Sequence, residues 1–282
     1  MKIYIVIPAH NEAEFIGLTL QSLLEQTYQA EKIVVVNDQS NDDTPQIVSE
    51  FEKKHPSIDL VSITSSEEHL PGSKVIRAFN EGYKTLDQDY DVICKFDADL
   101  IFPNNYLETL KNAFEASPKT GMFGGFCSIQ KGDAWVIENL TDKDHIRGAI
   151  KAYRKECFLD IGGLKPAMGW DTADELLAQY HNWIINTDKE LLVKHLKPTG
   201  TTYNKASKYK QGEAFYRLRY GFLITLIASA KLAYLKRNFS FFLDYMSGYF
   251  QASFSKTSFL LNEDEGRFVR KLRWNKMKKK LY

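Results

Sequence analysis

The sequence predicts an α/β protein in which a mostly parallel sheet is flanked by helices. Short β-rich runs alternate with amphipathic helical patterns over about the first hundred residues, and this alternation is typical of parallel sheets. Polar loops follow the runs, at the edge where the carboxyl ends of parallel strands would bind a ligand. The chain has 282 residues and 44% hydrophobic content, which is enough to bury a large core.

The expected elements follow one another in a regular order. The predicted strands are apolar runs rich in β-branched residues, at 3–7, 32–36, 60–63 and 92–96. The predicted helices are amphipathic, at about 12–26, 44–54, 74–86 and 173–183. Glycines interrupt the pattern after about residue 120, so irregular, site-building structure is expected there.

Two carboxylates stand together where the fourth predicted strand ends. Asp97 and Asp99 are two residues apart, so in extended backbone both side chains project to the same side. Paired carboxylate oxygens suit one hard cation, and such a cation usually serves a phosphate. The structural alternative is a turn followed by a helix cap, which Pro103 makes possible.

Charge divides the chain into two predicted domains, 1–204 and 205–282. Residues 1–204 carry 20 Lys and Arg against 31 Asp and Glu, whereas residues 205–282 carry 17 against 5. The acidic first part argues against a nucleic-acid enzyme. The second part is a basic, aromatic-rich helical extension, and its composition alone does not decide between nucleic acid and an anionic lipid surface. Its apolar helix faces would either lie on a membrane or pack on the first domain.

The remaining composition favours an intracellular protein. The three cysteines are widely spaced and surrounded by apolar residues, which indicates free buried thiols in a reducing cytosol: Cys94, Cys127 and Cys157. Residues 2–7 form too short an apolar run for a signal peptide, and residues 221–235 are too few to span a bilayer. A cytoplasmic location is expected, with the inner face of the cytoplasmic membrane as the alternative.

Three loop motifs, in chain order, resemble the markers of the family 2 glycosyltransferases. They are Pro-Ala-His-Asn-Glu at 8–12, Val-Asn-Asp-Gln-Ser-Asn-Asp-Asp-Thr at 36–44, and Asp-Ala-Asp at 97–99. Asn-Glu-Gly at 80–82 and Gly-Gly-Leu at 162–164 also fall at marker positions. The resemblance covers roughly residues 1–200 and implies a GT-A type, Rossmann-like sheet with a helical C-terminal extension. The ordered set is far more specific than a lone Asp-x-Asp.

The resemblance implies that the loops bind a nucleotide-activated sugar. Asp38 is the best nucleotide contact, because a carboxylate accepts hydrogen bonds from a base N–H or a ribose hydroxyl; its alternative role is to form the turn. Lys74 opens a helix and would meet a phosphate there, or would simply be solvated. The residues assigned to the nucleotide sugar are Pro8, Ala9, His10, Asn11, Glu12, Asp38, Lys74, Asp97 and Ala98.

The resemblance also implies a divalent cation, Mn²⁺ or Mg²⁺, held by Asp99. The family often places a histidine near the cation or the diphosphate, and His195 is the residue at that position. A neutral imidazole is a competent ligand for Mn²⁺. The alternative for His195 is a structural residue beside the apolar run 191–193.

An acidic segment at 169–176 resembles the family motif that carries the catalytic base. Asp174 is the nearest match, but the motif is altered here, so Asp171, Asp174 and Glu175 all remain candidates. Trp170 supplies an apolar surface on which an acceptor sugar could stack, which favours Asp174. The structural alternative is that these acids stabilise the first turn of a helix.

Together these features predict an inverting, metal-dependent glycosyltransferase of surface polysaccharide biosynthesis. The expected acceptor is a hydroxyl of a glycan or a lipid-linked saccharide, reached with peripheral membrane contact through the extension and without nucleic acid. A sugar nucleotidyltransferase is one alternative, although residues 8–12 lack the Gly-rich phosphate loop of that class. A non-catalytic, membrane-associated glycan-binding protein is the other.

Overall fold

A nine-stranded mixed sheet forms the centre of the computed structural model, which describes residues 1–64, 72–138, 145–197 and 209–279. The strands are β1 Ile3–Ala9, β2 Lys32–Asp38, β3 Ile58–Ile63, β4 Val92–Phe96, β5 Leu100–Ile101, β6 Thr120–Lys131, β7 Ala134–Ile137, β8 Ile150–Arg154 and β9 Ile184–His195. The helices are α1 Ile16–Leu24, α2 Thr44–Lys54, α3 Ser73–Thr85, α4 Tyr106–Ala116, α5 Lys155–Asp160, α6 Trp170–Tyr180, α7 Lys210–Arg217, α8 Gly221–Leu235, α9 Ser240–Phe254 and α10 Glu263–Lys278.

The first four long strands form the parallel half of the sheet. Its strand order is β3-β2-β1-β4-β8-β6-β9-β5, with β7 paired to β6. Strands β3, β2, β1 and β4 are parallel, whereas β8 is antiparallel to both β4 and β6. All seven residues of β1 except Pro8 are buried, as expected for a central parallel strand covered on both faces.

The predicted elements are confirmed, with shifts at their ends. Strands β1 and β2 each run two residues beyond their predicted ends, and α2 has its predicted bounds. The first helix was expected from about residue 12, but α1 begins at Ile16 because Asn11 has a positive φ of 55° and a turn follows it. Helix α6 begins at Trp170, three residues earlier than predicted.

Direct hydrogen bonds tie the loops after β1 and β2 to each other. The ring Nδ1 of His10 lies 2.6 Å from the backbone oxygen of Asp38. The backbone N–H of Glu12 donates to Oγ1 of Thr44 at 2.8 Å, and that of Ala13 donates to Asp42 at 3.0 Å. The loops therefore form one edge at the carboxyl ends of the parallel strands, where open α/β sheets bind ligands.

The C-terminal helices pack on the sheet domain through α6 and α10. The rings of Tyr180 and Phe268 meet edge to face, with centroids 5.6 Å apart. The segment between α7 and α8 is tied to the start of α10, since Arg219 donates to the backbone oxygen of Leu261 at 2.7 Å. The predicted boundary between residues 204 and 205 lies outside the described residues, so the two-domain division stays a prediction. Within the described ranges, every helix is too short or too polar to cross a bilayer.

The expectation of free thiols is confirmed. All three cysteines are buried and unpaired by disulfides: Cys94, Cys127 and Cys157. Burial in apolar surroundings raises the pKa of the Cys127 thiol to about 12, so this thiol stays protonated and unreactive at neutral pH.

Helix α3 lies so close to the sheet that one of its positions requires glycine. A methyl group at Gly82 would lie 2.4 Å from a methyl carbon of Val36 and 2.8 Å from one of Val6. We expect Gly82→Ala to lower the free energy of unfolding by about 1–3 kcal/mol, because the helix must move off the strands. Urea unfolding followed by circular dichroism measures this change.

Gly17 in α1 provides the matched control. A methyl group there would make only ordinary contacts, with Ile47 at 3.8 Å as its nearest neighbour. Gly17→Ala should therefore leave stability unchanged or raise it by up to about 1 kcal/mol, because alanine favours helices. Equal effects of the two substitutions would contradict the packing argument.

Candidate active site

A cleft of about 590 Å³ opens at the carboxyl ends of β1, β2 and β4. Its walls bring together loops that are far apart in the sequence, including those after β1, β2 and β4, the start of α3 and the start of α6. The described lining residues are Pro8, Ala9, His10, Glu12, Asp38, Gln39, Lys74, Val75, Ala78, Lys95, Asp97, Ala98, Asp99, His145, Arg147, Gly148, Ala149, Trp170, Asp171 and His195.

Most residues predicted to bind a nucleotide sugar line this cleft. Eight of the nine are found there, from Pro8 to Ala98, and Asn11 is the exception. Asn11 instead supports the loops, because its side-chain oxygen accepts from the backbone N–H of Asn41 at 2.8 Å. Its own N–H donates to Ser40 at 3.0 Å, so Asn11 holds the loop shape behind the cleft.

The carboxylates of Asp97 and Asp99 meet His195 at one end of the cleft. One ligand atom from each residue lies within 4.8 Å of the other two. The Nε2 atom of His195 is 3.4 Å from Oδ2 of Asp99, and both side chains are buried. Antiparallel pairing of β5 with β9 places His195 opposite Leu100, directly after the acidic pair.

This cluster has the donor set that Mn²⁺ or Mg²⁺ binds. Two carboxylates and an imidazole suit a divalent cation of intermediate hardness. Burial lowers the pKa of His195, but the carboxylates of Asp99, Glu138 and Asp97 outweigh burial and raise it to about 9. The imidazole is therefore protonated at neutral pH. A divalent cation that binds between His195 and Asp99 would displace the imidazole proton.

Lys95 fixes the carboxylate of Asp97 at the wall of the cleft. Its side chain is almost fully buried, and its ammonium contacts Asp97 and donates to the backbone oxygen of Gly148 at 3.0 Å. The same ammonium lies 5.5 Å from the ring centroid of Trp170. The ring of Trp170 can pack against residue 148 because that residue is glycine. A methyl group there would lie 2.9 Å from the ring.

The three candidate bases on α6 occupy different environments. Asp171 lines the cleft, and its side chain is 37% exposed. Asp174 and Glu175 lie beneath, where the ammonium of Lys151 is 2.8 Å from both oxygens of Asp174 and 3.2 Å from Glu175. The hydroxyl of Tyr153 also donates to Asp174 at 2.5 Å. The sequence preference for Asp174 as base therefore stays a prediction that this burial does not favour.

Burial and charge shift the pKa values of this network in different directions. Burial raises the pKa of Asp174 above its usual value, although Lys151 opposes this shift. Burial lowers the pKa of Lys151, but Asp174, Glu175 and Asp171 outweigh burial and raise it above its usual value. Burial raises the pKa of Glu175, but Lys151 and His145 outweigh burial and hold it below its usual value. The lysine is therefore a buried cation that neutralises carboxylates.

Sequence reasoning missed His145 and Arg147, which lie just after residues 139–144. Nδ1 of His145 is 3.0 Å from Glu175, and its Nε2 is 3.8 Å from Asp171, so the imidazole bridges the buried and exposed acids. Arg147 forms an ion pair with Glu138 at 3.0 Å and lines the cleft. The local sequence is neither periodic nor rich in a known motif, so it carried no signal for either residue.

Comparisons with known proteins agree on one family. The family model described as "Glycosyl transferase family 2" matches residues 4–161, more than half of the chain. A poly-beta-1,6-N-acetyl-D-glucosamine synthase of Staphylococcus epidermidis is 30% identical over 185 residues, covering 59% of this chain and 41% of that protein. A Methanococcus voltae protein is 31% identical over 143 residues, covering 49% of this chain and 41% of its own length. Its name is dolichyl N-acetyl-alpha-D-glucosaminyl phosphate 3-beta-D-2,3-diacetamido-2,3-dideoxy-beta-D-glucuronosyltransferase.

Solved structures of glycosyltransferases share the fold. The mannosyltransferase PcManGT of Pyrobaculum calidifontis, in complex with GDP-Man and Mn²⁺, matches with a TM-score of 0.58 and 18% identity, covering 76% of this chain and 62% of that chain. Staphylococcus aureus TarS 1–349, in complex with UDP-GlcNAc, matches with a TM-score of 0.59 and 19% identity, covering 80% and 66%. The GT-A expectation is confirmed. The chain spans less than half the length of the two curated relatives described above.

The buried ammonium of Lys151 gives a test of the network beneath the cleft. We expect Lys151→Met to lower the free energy of unfolding by about 3–5 kcal/mol, because two carboxylates would stay buried without their cation. Urea unfolding at pH 7 measures the loss. Lys111→Met is the matched control, since its pair with Glu115 lies at the surface and its removal should leave the midpoint nearly unchanged. A similar small effect for Lys151→Met would contradict the assigned structural role.

Proposed function

The chain belongs to glycosyl transferase family 2, and from this we propose that it transfers a sugar from a nucleotide-sugar donor to an acceptor hydroxyl with inversion. The observation that carries the proposal is that one cleft is lined both by the cluster of Asp97, Asp99 and His195 and by Asp171. Cation ligands at one wall and an exposed carboxylate at another are the two parts that such a transfer needs.

Asp38 and Lys74 are the proposed contacts of the nucleotide. Both line the cleft. Asp38 is the last residue of β2, and the ring of His10 contacts its backbone oxygen. Lys74 is the second residue of α3, where the helix dipole and the ammonium both favour a phosphate. The relatives with UDP-GlcNAc and GDP-Man support a nucleotide sugar as a class and leave the base open.

Asp99, with His195 and Asp97 beside it, is the proposed holder of Mn²⁺ or Mg²⁺. When bound, the cation would neutralise charge that develops on the nucleoside diphosphate as the sugar–oxygen bond breaks. Lys95 keeps the Asp97 carboxylate in place through its buried ammonium. Glu12 stands nearby; burial, Asp99 and Asp97 raise the pKa of its carboxyl despite its pair with Lys197.

Asp171 is the proposed catalytic base. It is the candidate that lines the cleft and retains an exposed carboxylate, so it can accept the proton of an incoming hydroxyl. Lys151 accepts no proton but orients this residue, because its ammonium donates to the backbone oxygen of Asp171 at 2.5 Å. Asp174 and Glu175 hold Lys151 in position and do not contact the substrate in this proposal.

A glycan or a lipid-linked saccharide in surface polysaccharide assembly is the proposed acceptor. The names of the curated relatives support this class, because one is a poly-N-acetylglucosamine synthase and the other names a dolichyl phosphate saccharide. The proposed site of action is the inner face of the cytoplasmic membrane, reached by peripheral contact. Exposed apolar side chains on α8 and α9, such as Tyr234 and Phe254, support that contact.

The first test of this function concerns the cation. We expect Asp99→Ala to abolish the Mn²⁺-dependent rise in melting temperature that a donor sugar nucleotide produces, because a principal cation ligand is lost. UDP- and GDP-sugars are screened by thermal shift with and without Mn²⁺. Asp133→Ala, at an exposed turn, is the control and should keep the full rise. An unchanged rise in Asp99→Ala would reject the cation role.

The second test separates the candidate bases. Asp171→Asn should keep donor binding and the fold while lowering kcat by about 10²–10⁴-fold, because the amide cannot accept the acceptor proton. Asp174→Asn should instead lower the melting temperature, because Lys151 would lose a buried anionic partner. Turnover is followed by release of nucleoside diphosphate. Full turnover in Asp171→Asn, or a stable but inactive Asp174→Asn, would return the role to Asp174.

A further inference from the structure

A second cavity, of about 550 Å³, lies between the C-terminal helices and the start of α6. Its size falls in the range of small-molecule sites. We refer to it as the C-terminal groove, and its apolar walls come from α7, the turn after it, α8 and α10. They are formed chiefly by Phe215, Leu218, Ile224, Ile227, Leu232 and Met277.

Cationic side chains line the same groove. Lys231, Arg273 and Lys276 are among its described lining residues, and none of those residues is a carboxylate. Arg273 donates to the hydroxyl of Tyr220, but its Nε atom is buried and has no hydrogen-bond partner among the described residues. An apolar groove with a cationic lining complements a molecule that joins an aliphatic chain to an anion.

The groove and the cleft share a wall. Gly169 and Thr172 line the groove, while the two residues between them, Trp170 and Asp171, line the cleft. Burial raises the pKa of the groove residue Tyr220, and Arg273 lowers it. Asp171 is near enough to raise the pKa of Tyr220 further. A molecule in the groove would therefore end close to the proposed base.

We propose that the C-terminal groove binds the aliphatic chain of a phosphate-bearing lipid acceptor, whose saccharide then reaches Asp171. This inference rests on the proposed function and specifies its acceptor as a saccharide carried on a lipid phosphate. The lining cations bind the phosphate, and the apolar walls bury the chain.

A single aliphatic chain fits this groove better than a bilayer surface does. The cavity is concave and lies between packed helices, whereas a bilayer would contact outward-facing side chains such as Tyr234 and Phe254, both 83% exposed. Neither of these two residues lines the groove. Bilayer contact and chain binding therefore depend on different side chains and can be separated by substitution.

The experiment measures binding of dodecyl phosphate below its micelle concentration to the full chain. Trp274 lines the groove and is 37% exposed, so its fluorescence reports occupancy, and Trp274→Phe verifies the source of the signal. We expect saturable binding of dodecyl phosphate, weaker binding of neutral dodecyl maltoside, and no comparable change with inorganic phosphate.

Two substitutions test the groove itself. Ile227→Asp places a charge on an exposed part of its wall and should weaken dodecyl phosphate binding by about tenfold or more. Lys231→Glu should weaken dodecyl phosphate more than dodecyl maltoside, since it reverses a lining charge. The matched controls are Phe254→Asp and Lys53→Glu, at exposed positions outside the groove, and both should bind dodecyl phosphate normally.

Unchanged affinity in Ile227→Asp would overturn the proposal. Equal losses in Ile227→Asp and Phe254→Asp would also overturn it, because binding would then not depend on the groove. Binding only to phosphatidylglycerol vesicles would overturn it too, because it indicates contact with a bilayer. The assay requires no turnover, and Mn²⁺-dependent donor binding is measured separately in every variant. Failure of the groove is therefore distinguishable from failure of the glycosyltransferase function.

Discussion

The burial of two lysines on neighbouring strands constrains the whole catalytic half of the molecule. Antiparallel pairing places Lys95 of β4 directly opposite Lys151 of β8, and both side chains are almost fully buried. Like charges in such positions repel, and a buried ammonium is costly unless a carboxylate neutralises it. Asp97 neutralises Lys95, and Asp174 neutralises Lys151. The acidic pair after β4 and the start of α6 must therefore lie against the sheet at this point.

This arrangement divides the carboxylates between two tasks. Asp174 and Glu175 neutralise the buried ammonium of Lys151 and are withdrawn from solvent, so they serve the packing of the fold. Asp99 and Asp171 face the cleft, where their oxygens are available to a cation or a hydroxyl. His145 connects the two sets, because its ring lies between Glu175 and Asp171. The same helix thus packs against the sheet through one pair of acids and presents another acid to the cleft.

Helix α6 is also the boundary between the cleft and the C-terminal groove. Its first turn presents Trp170 and Asp171 to one cavity and Thr172 to the other. A donor in the cleft and a chain in the groove would then approach the same carboxylate from two sides. Under this proposal the basic C-terminal helices would bind the acceptor, which would connect the charge asymmetry of the chain with its proposed chemistry.

The parallel half of the sheet, the loops at its carboxyl edge and the family could all be predicted from the order of the residues. These features depend on local periodicity and on motifs that are contiguous, such as 8–12 and 97–99. The partners of those motifs, in contrast, depend on contacts between distant segments. His195 reaches Asp99 because β9 pairs with β5, and His145 reaches Asp171 because the chain after 139–144 returns to the cleft. The early start of α6 likewise separates Asp171, at the cleft, from Asp174, beneath it. Such contacts arise from strand pairing and from neutralisation of buried charge between distant segments. Local sequence patterns therefore cannot predict them.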